Sequence, residues 1–105
     1  MSINSLMTEK KIFLDPALNL TSFAEWIDIA PYQLSKLINE RFGKSFTNLI
    51  NEYRVNEFID RLNDPSYKDH SIYGIALDSG FKSKSSFNSA FKKITGKTPS
   101  EYKLK

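Results

Sequence analysis

Cysteine is absent from this 105-residue chain, which excludes disulfides and thiolate zinc sites and leaves nothing that points to an oxidising compartment. Histidine is nearly absent as well. The single copy, His70, stands beside Asp69 in a polar stretch, so a histidine-rich metal site is excluded, and scattered Ser, His and Asp residues define no hydrolytic constellation. The four glycines are dispersed, and no glycine-rich phosphate loop exists. No apolar run reaches membrane-spanning length, and the N-terminus lacks the apolar core of a secretion signal. Strand-like alternation, low-complexity segments and strong repeats are also missing. These absences lead us to expect a soluble, intracellular, non-enzymatic helical domain that requires no cofactor and makes no membrane contact.

What is present supports a core. Hydrophobic residues make up 40% of the chain and include eight Phe and one Trp, enough for one domain with a modest core or two very small subdomains sharing a connecting element. Charge is divided unevenly. Residues 1–79 hold eight Lys/Arg and eleven Asp/Glu, net −3, whereas residues 80–105 hold seven Lys and one Glu, net +6. Such asymmetry suits a C-terminal third that meets a polyanion; on charge alone, a solvated basic tail explains it equally well.

Ile3, Leu6, Met7 and Lys10 follow helical spacing, predicting a first helix over residues 3–12. Asp15-Pro16 and Asn19 mark a loop, after which Thr21 suits the N-cap of a helix bearing Phe23, Ala24, Trp26 and Ile27. Trp26 is expected in the core or at a joint between helices. Asp28-Ile29-Ala30 reads as a turn, with Pro31 at the first position of a helix reaching Phe42. Leu34, Leu37 and Ile38 form its buried stripe, leaving Tyr32, Gln33, Ser35, Lys36, Asn39 and Glu40 outside. Gly43 ends it, and Ser45 caps a longer helix carrying Phe46, Leu49, Ile50, Tyr53, Val55, Phe58, Ile59 and Leu62. Apolar positions wrap more than one face there, as a spacer touching two subdomains requires. Asn63-Asp64-Pro65-Ser66 breaks the helix, and Tyr67 to His70 completes a polar loop.

The stretch from Ser71 to Tyr102 has the outline of a helix-turn-helix. Ile72, Ile75, Ala76 and Ser79 share one helical face, and Gly80 stands where a helix ends in the left-handed conformation. Ser83 can cap the next helix, whose inward face carries Phe87, Ala90, Phe91 and Ile94 before Gly96 stops it. Thr98-Pro99-Ser100-Glu101 is a capping box with Pro at the first helical position. The blocks FGKSF and TGKTP each follow one helix and open another, a faint repeat of shape.

Within this stretch, GFKSKSSFNSAFKKITGKTPSEY closely resembles the C-terminal signature of the AraC/XylS family of transcription regulators. The signature covers the second of two helix-turn-helix units. Leu20 to Phe42 fits the first unit more loosely, and the resemblance spans roughly residues 10–103. It implies an all-α fold of about seven helices, with two homeodomain-like helix-turn-helix subdomains (about 10–44 and 71–103) joined by a linker helix at 45–62. It also implies sequence-specific binding of double-stranded DNA in the bacterial cytoplasm, in association with the nucleoid, and contact with RNA polymerase at promoters. In such regulators a sensor or signalling domain commonly accompanies this module, so the chain is expected to be the output part of a larger protein.

The family's base-facing positions fall on Tyr32, Ser35 and Lys36 in the first unit, and on Lys84, Ser85, Asn88 and Ser89 in the second. Lys36 suits guanine O6 or N7, Tyr32 a thymine methyl or a phosphate, and Asn88 an adenine. Arg41, Lys44, Lys92, Lys93 and Lys97 are the expected phosphate contacts, which position without specifying. Read from the residues alone, each of these side chains also fits an ordinary solvated face, and Ser83 to Ser86 a simple helix start. Three positions depart from the family pattern: Asp28 where Gly is usual, Ala30 where a capping Ser is usual, and Ser89 where many relatives have Arg. These departures keep open a second class of function, a helical protein-interaction module without base-specific DNA reading.

Overall fold

The computed structural model describes residues 2–103. They form seven α-helices and two short 3-10 turns: α1 (Ile3–Thr8), α2 (Leu20–Trp26), α3 (Pro31–Phe42), α4 (Phe46–Leu62), α5 (Ile72–Asp78), α6 (Lys84–Thr95) and α7 (Pro99–Lys103), with 3-10 segments at Ile12–Leu14 and Pro65–Tyr67. The expected all-α architecture of two helical subdomains on a central helix is the one observed.

Local chemistry sets most boundaries. The hydroxyls of Ser45, Ser71 and Ser83 accept from backbone N–H groups in the first turns of α4, α5 and α6. At α7, Thr98 Oγ1 accepts from the Glu101 N–H at 3.2 Å and Glu101 Oε1 from the Thr98 N–H at 3.0 Å, closing the expected capping box. Gly43 and Gly96 end α3 and α6 at φ 67° and 78°, the left-handed conformation that a Cβ disfavours. α2 begins earlier than expected. Its cap is Asn19, not Thr21, because the Asn19 carboxamide and the Ser22 hydroxyl each accept from the other's backbone N–H, at 2.9 and 3.0 Å.

The first helix is also shorter than residues 3–12. It stops at Thr8, and Lys11 takes a left-handed φ of 48° before the chain re-forms as the 3-10 turn. That break turns Phe13 into the core, where its ring stacks on Tyr53 at 5.7 Å.

Two cores result. Ile3, Leu6, Met7, Phe13, Phe23, Ala24, Leu34, Ile38, Leu49 and Ile50 form the first. Val55, Phe58, Ile75, Ala76, Phe81, Phe87, Ala90 and Phe91 form the second. α4 supplies Leu49 and Ile50 to one and Val55 and Phe58 to the other, so it is the shared spacer. Its 17 residues make a rod of about 25 Å within a molecule measuring 42 × 25 × 20 Å. In the second core Phe58 meets Phe87 at 4.7 Å and Phe91 at 5.4 Å, an aromatic cluster that needs no disulfide or metal to hold it.

Three residues expected to be buried are not. Trp26 is 49% exposed, and Leu37 and Ile94 are 37% exposed. Trp26 ends the seven-residue α2 and points past the core, under the Lys10 ammonium at 5.8 Å. Leu37 sits about 60° round the α3 helix from Leu34, at the edge of the stripe. Ile94 lies in the last turn of α6 beside the open groove of Lys44, Asn48, Glu52 and Lys93.

Candidate nucleic-acid interface

Each subdomain presents a 12-residue helix, α3 or α6, behind a shorter helix and a tight turn. In the first, Asp28 adopts φ 56°, the left-handed turn that Gly would make without strain. The Asp28 N–H donates to the Glu25 carbonyl at 3.3 Å and the Ile29 N–H to the Ala24 carbonyl at 3.2 Å. Ala30 offers no capping hydroxyl. The Gln33 carboxamide oxygen accepts from the Ala30 N–H at 2.9 Å, so half of a capping box survives. Leu34 and Ile38 anchor α3 in the core. Directly opposite them, Tyr32 is 74% exposed and the Lys36 side chain 75%. Lys36 approaches Glu40 at 4.0 Å, an exposed pair weak enough to exchange for a stronger anion. Ser35 is half-buried on the flank of the helix.

In the second subdomain Gly80 turns the chain at φ 105°. Ser79 is fully buried, its hydroxyl donating to the Ile75 carbonyl at 2.8 Å. Ser83 and Ser86 cap α6 reciprocally, each hydroxyl accepting from the other's N–H at 3.1–3.2 Å. Phe87, Ala90 and Phe91 face inward, which leaves Ser85, Ser89 and Lys92 exposed on the outer face. Lys84 is exposed too, with its ammonium 4.4 Å from the centre of the Tyr73 ring. Asn88 lies to one side, half-buried in a groove of about 490 Å³ lined also by Ile72, Tyr73, Lys92 and Thr98.

The residues expected at phosphates differ in their surroundings. Arg41 is exposed, with its guanidinium 5.8 Å from the Phe42 ring centre. Lys92 is exposed on α6. Lys44 is half-buried and ion-paired with Glu52, whereas Lys93 donates to Asn48 Oδ1 at 3.2 Å, tying α6 to α4. Lys97 is half-buried in the turn after α6, where its N–H donates to Thr95 Oγ1 at 3.2 Å.

Two features escaped the sequence reading. The Lys84–Tyr73 contact joins α5 to α6, and a cation and an aromatic flanking a predicted turn were its only signal. Arg54, a charged residue inside the apolar wrapping of α4, is buried at 9% exposure. Its position between Tyr53 and Val55 was the available clue. His70 is exposed in its loop, its ring 5.0 Å from that of Tyr67. Among the described residues no cluster of three or more His, Cys, Asp or Glu is arranged to hold a metal ion, and no helix is long and apolar enough to cross a membrane.

Solved structures share this arrangement. A Listeria innocua protein of unknown function superposes with a TM-score of 0.81 at 28% identity, over 99% of this chain and 97% of that one. The C-terminal domain of AraT, a response regulator from Geobacillus stearothermophilus, gives a TM-score of 0.73 at 30% identity, over 90% of this chain and 76% of that one. An uncharacterized HTH-type transcriptional regulator of Staphylococcus aureus strain MSSA476 is 31% identical over 101 residues, covering 96% of this chain but 13% of the relative. The chain thus spans about an eighth of the length of the curated relatives it matches. The helix-turn-helix domain family matches residues 23–105, both turn-flanked helices included, and the chain belongs to that family.

Proposed function

We propose that the domain binds double-stranded DNA sequence-specifically as the AraC/XylS-type output module of a larger bacterial transcription regulator, with α3 and α6 reading two successive major-groove segments. The observation that carries this reading is the pairing of α3 and α6. Both helices are anchored by a buried stripe, and both turn a polar outer face away from a common spacer helix. A major groove admits one such helix, and successive grooves on one side of a duplex lie about 34 Å apart. That interval fits within the 42 Å length of the molecule.

In this reading Tyr32, Ser35 and Lys36 face one groove, and Lys84, Ser85, Asn88 and Ser89 the other. Lys36 supplies the strongest base contact of the first unit. The second unit, with Ser89 in place of the Arg common among relatives, reads through one long cation, Lys84, and the shorter Ser85, Asn88 and Ser89. Arg41 and Lys92 are the readiest phosphate contacts. Lys44 must first leave Glu52 and Lys93 leave Asn48, and Lys97 borders the α7 cap. Residues 10–44 and 71–103 are the two reading units and 45–62 the spacer. The response-regulator description of AraT and the far greater length of the Staphylococcus relatives support a sensor or signalling portion elsewhere in the protein. Contact with RNA polymerase at promoters follows from the family resemblance. The module works without an enzymatic step or a cofactor.

The test is a duplex-DNA titration over a range of salt concentrations. Displacing counterions from about five or more phosphates makes log affinity fall steeply and linearly with log salt. Weak binding with a flat salt response would refute the reading and return the helical protein-interaction module in its place.

A further inference from the structure

The two cores meet at a buried cation. Arg54 lies in the middle of α4, one turn beyond Ile50 of the first core and next to Val55 of the second. Its Nε donates to the Phe13 carbonyl at 2.8 Å and its Nη2 to the Asp15 carbonyl at 2.9 Å. Among the described residues it forms no ion pair; burial lowers its pKa, and the nearby Asp15 charge only partly opposes that. Gly80, in the turn between α5 and α6, closes the junction from the other side. A Cβ there would fall 2.2 Å from the Phe13 carbonyl oxygen and 2.8 Å from Arg54 Nε. Three segments distant in sequence, namely residues 13–15, α4 and the turn before α6, therefore converge on one guanidinium.

A second tie runs alongside. Lys11 Nζ meets Glu57 Oε1 at 3.1 Å, and the other Glu57 oxygen accepts from Arg61 Nε at 2.8 Å. The segment from Lys11 to Asp15 is thus strapped along α4, across the boundary between the two cores.

Burying a guanidinium against carbonyls is an expensive way to gain stability, since an apolar side chain of similar volume serves a core as well or better. What the guanidinium adds is direction. Its planar donors accept only a narrow range of partner positions. We propose that Arg54 is the positioning residue of the two-headed reader, fixing the first subdomain against the turn that launches α6 and so setting the spacing at which α3 and α6 meet DNA. This inference rests on the two-groove reading above. Each added base pair moves the second block by 3.4 Å and rotates it by about 35° around the duplex. A rigid junction must penalise that displacement, and a loosened one must tolerate it.

The experiment compares the parent with Arg54→Met and Arg54→Lys, the latter retaining charge but lacking the fork. Affinities are measured for a duplex carrying the two blocks that the parent enriches from a random duplex-DNA pool, for the same duplex with one base pair inserted between them, and for a duplex with one block. Losing the rigid link lowers the effective concentration of the second head. We expect Arg54→Met to bind the two-block duplex roughly 10- to 100-fold more weakly, with single-block affinity unchanged and the insertion penalty reduced. Arg54→Lys should fall between Arg54→Met and the parent. An equal loss on one-block and two-block duplexes, or an unchanged insertion penalty, would overturn the proposal.

A DNA-free readout separates this inference from the reading it rests on. Because the chain has no cysteine, the exposed pair Glu25→Cys and Ser100→Cys can carry spin labels, one on each subdomain. The inter-label distance should be narrowly distributed in the parent and broadened by Arg54→Met. Identical distributions overturn the positioning role whatever the DNA result. Broadening in a protein whose parent prefers no two-block duplex refutes the two-groove reading and with it the spacing role, while retaining Arg54 as the lock between subdomains.

Discussion

Lys36 and Phe91 occupy helices of equal length and have opposite surroundings. Phe91 is fully buried, ringed by Phe58, Phe87 and Tyr102 at 5.4–5.6 Å, so its contribution is to packing. Lys36 projects from the middle of the outer face of α3, with an exposed glutamate as its partner. If it donates to a base edge, Lys36→Ala should weaken binding to the best duplex by about 1–3 kcal/mol and relax preference at one base pair. Competition against duplexes varied at each position measures this, and a uniform loss on every sequence would reassign Lys36 to phosphate. Which side chains point outward was legible wherever helical periodicity alone decides it, as for Tyr32 and Lys36. Trp26, Lys44 and Arg54 were not legible in this way. Their environments come from Lys10, Glu52 and the Phe13 carbonyl, partners that only the fold brings near.

The helices themselves were legible to within a few residues because their ends are written in local chemistry. Ser45, Ser83 and Thr98 accept from N–H groups three residues on, and Gly43, Gly80 and Gly96 supply positive φ. Where that chemistry is ambiguous the helix ends are not legible, as at Asn19 against Thr21, or at Lys11, whose left-handed turn no glycine announces. The turn between α2 and α3 carries a local cost. Asp28 is held at φ 56°, near the negative end of the α2 dipole. Asp28→Gly should relieve about 1–2 kcal/mol of left-handed strain against an unfolded-state entropy cost of about 0.4–1 kcal/mol. The variant should therefore be more stable, by up to about 1.5 kcal/mol. Thermal or denaturant unfolding checks this, and a lower midpoint would mean that the Asp28 side chain contributes to the turn.

At the scale of the whole molecule, the two subdomains are held by one shared helix and by the segment strapped along it. Glu57 is central to that strap. Burial pushes its carboxyl up, but donation from Arg61 and Lys11 outweighs burial and holds it below the ordinary carboxylate range. A carboxyl depressed in the folded state stabilises fully above its unfolded pKa, about 4.3, and loses that contribution as pH falls through the folded value. The gap in unfolding midpoint between the parent and Glu57→Gln should accordingly be constant near neutrality and narrow in acid below about pH 4.3. A gap independent of pH would contradict the charge-assisted strap. If α3 and α6 act as two reading heads held by α4, the DNA they prefer must be bipartite. Selection from a random duplex-DNA pool at near-physiological salt tests this most directly. The expected result is enrichment of an asymmetric motif with two blocks about one helical turn (~34 Å) apart. Enrichment of a single block, or of none, would contradict it.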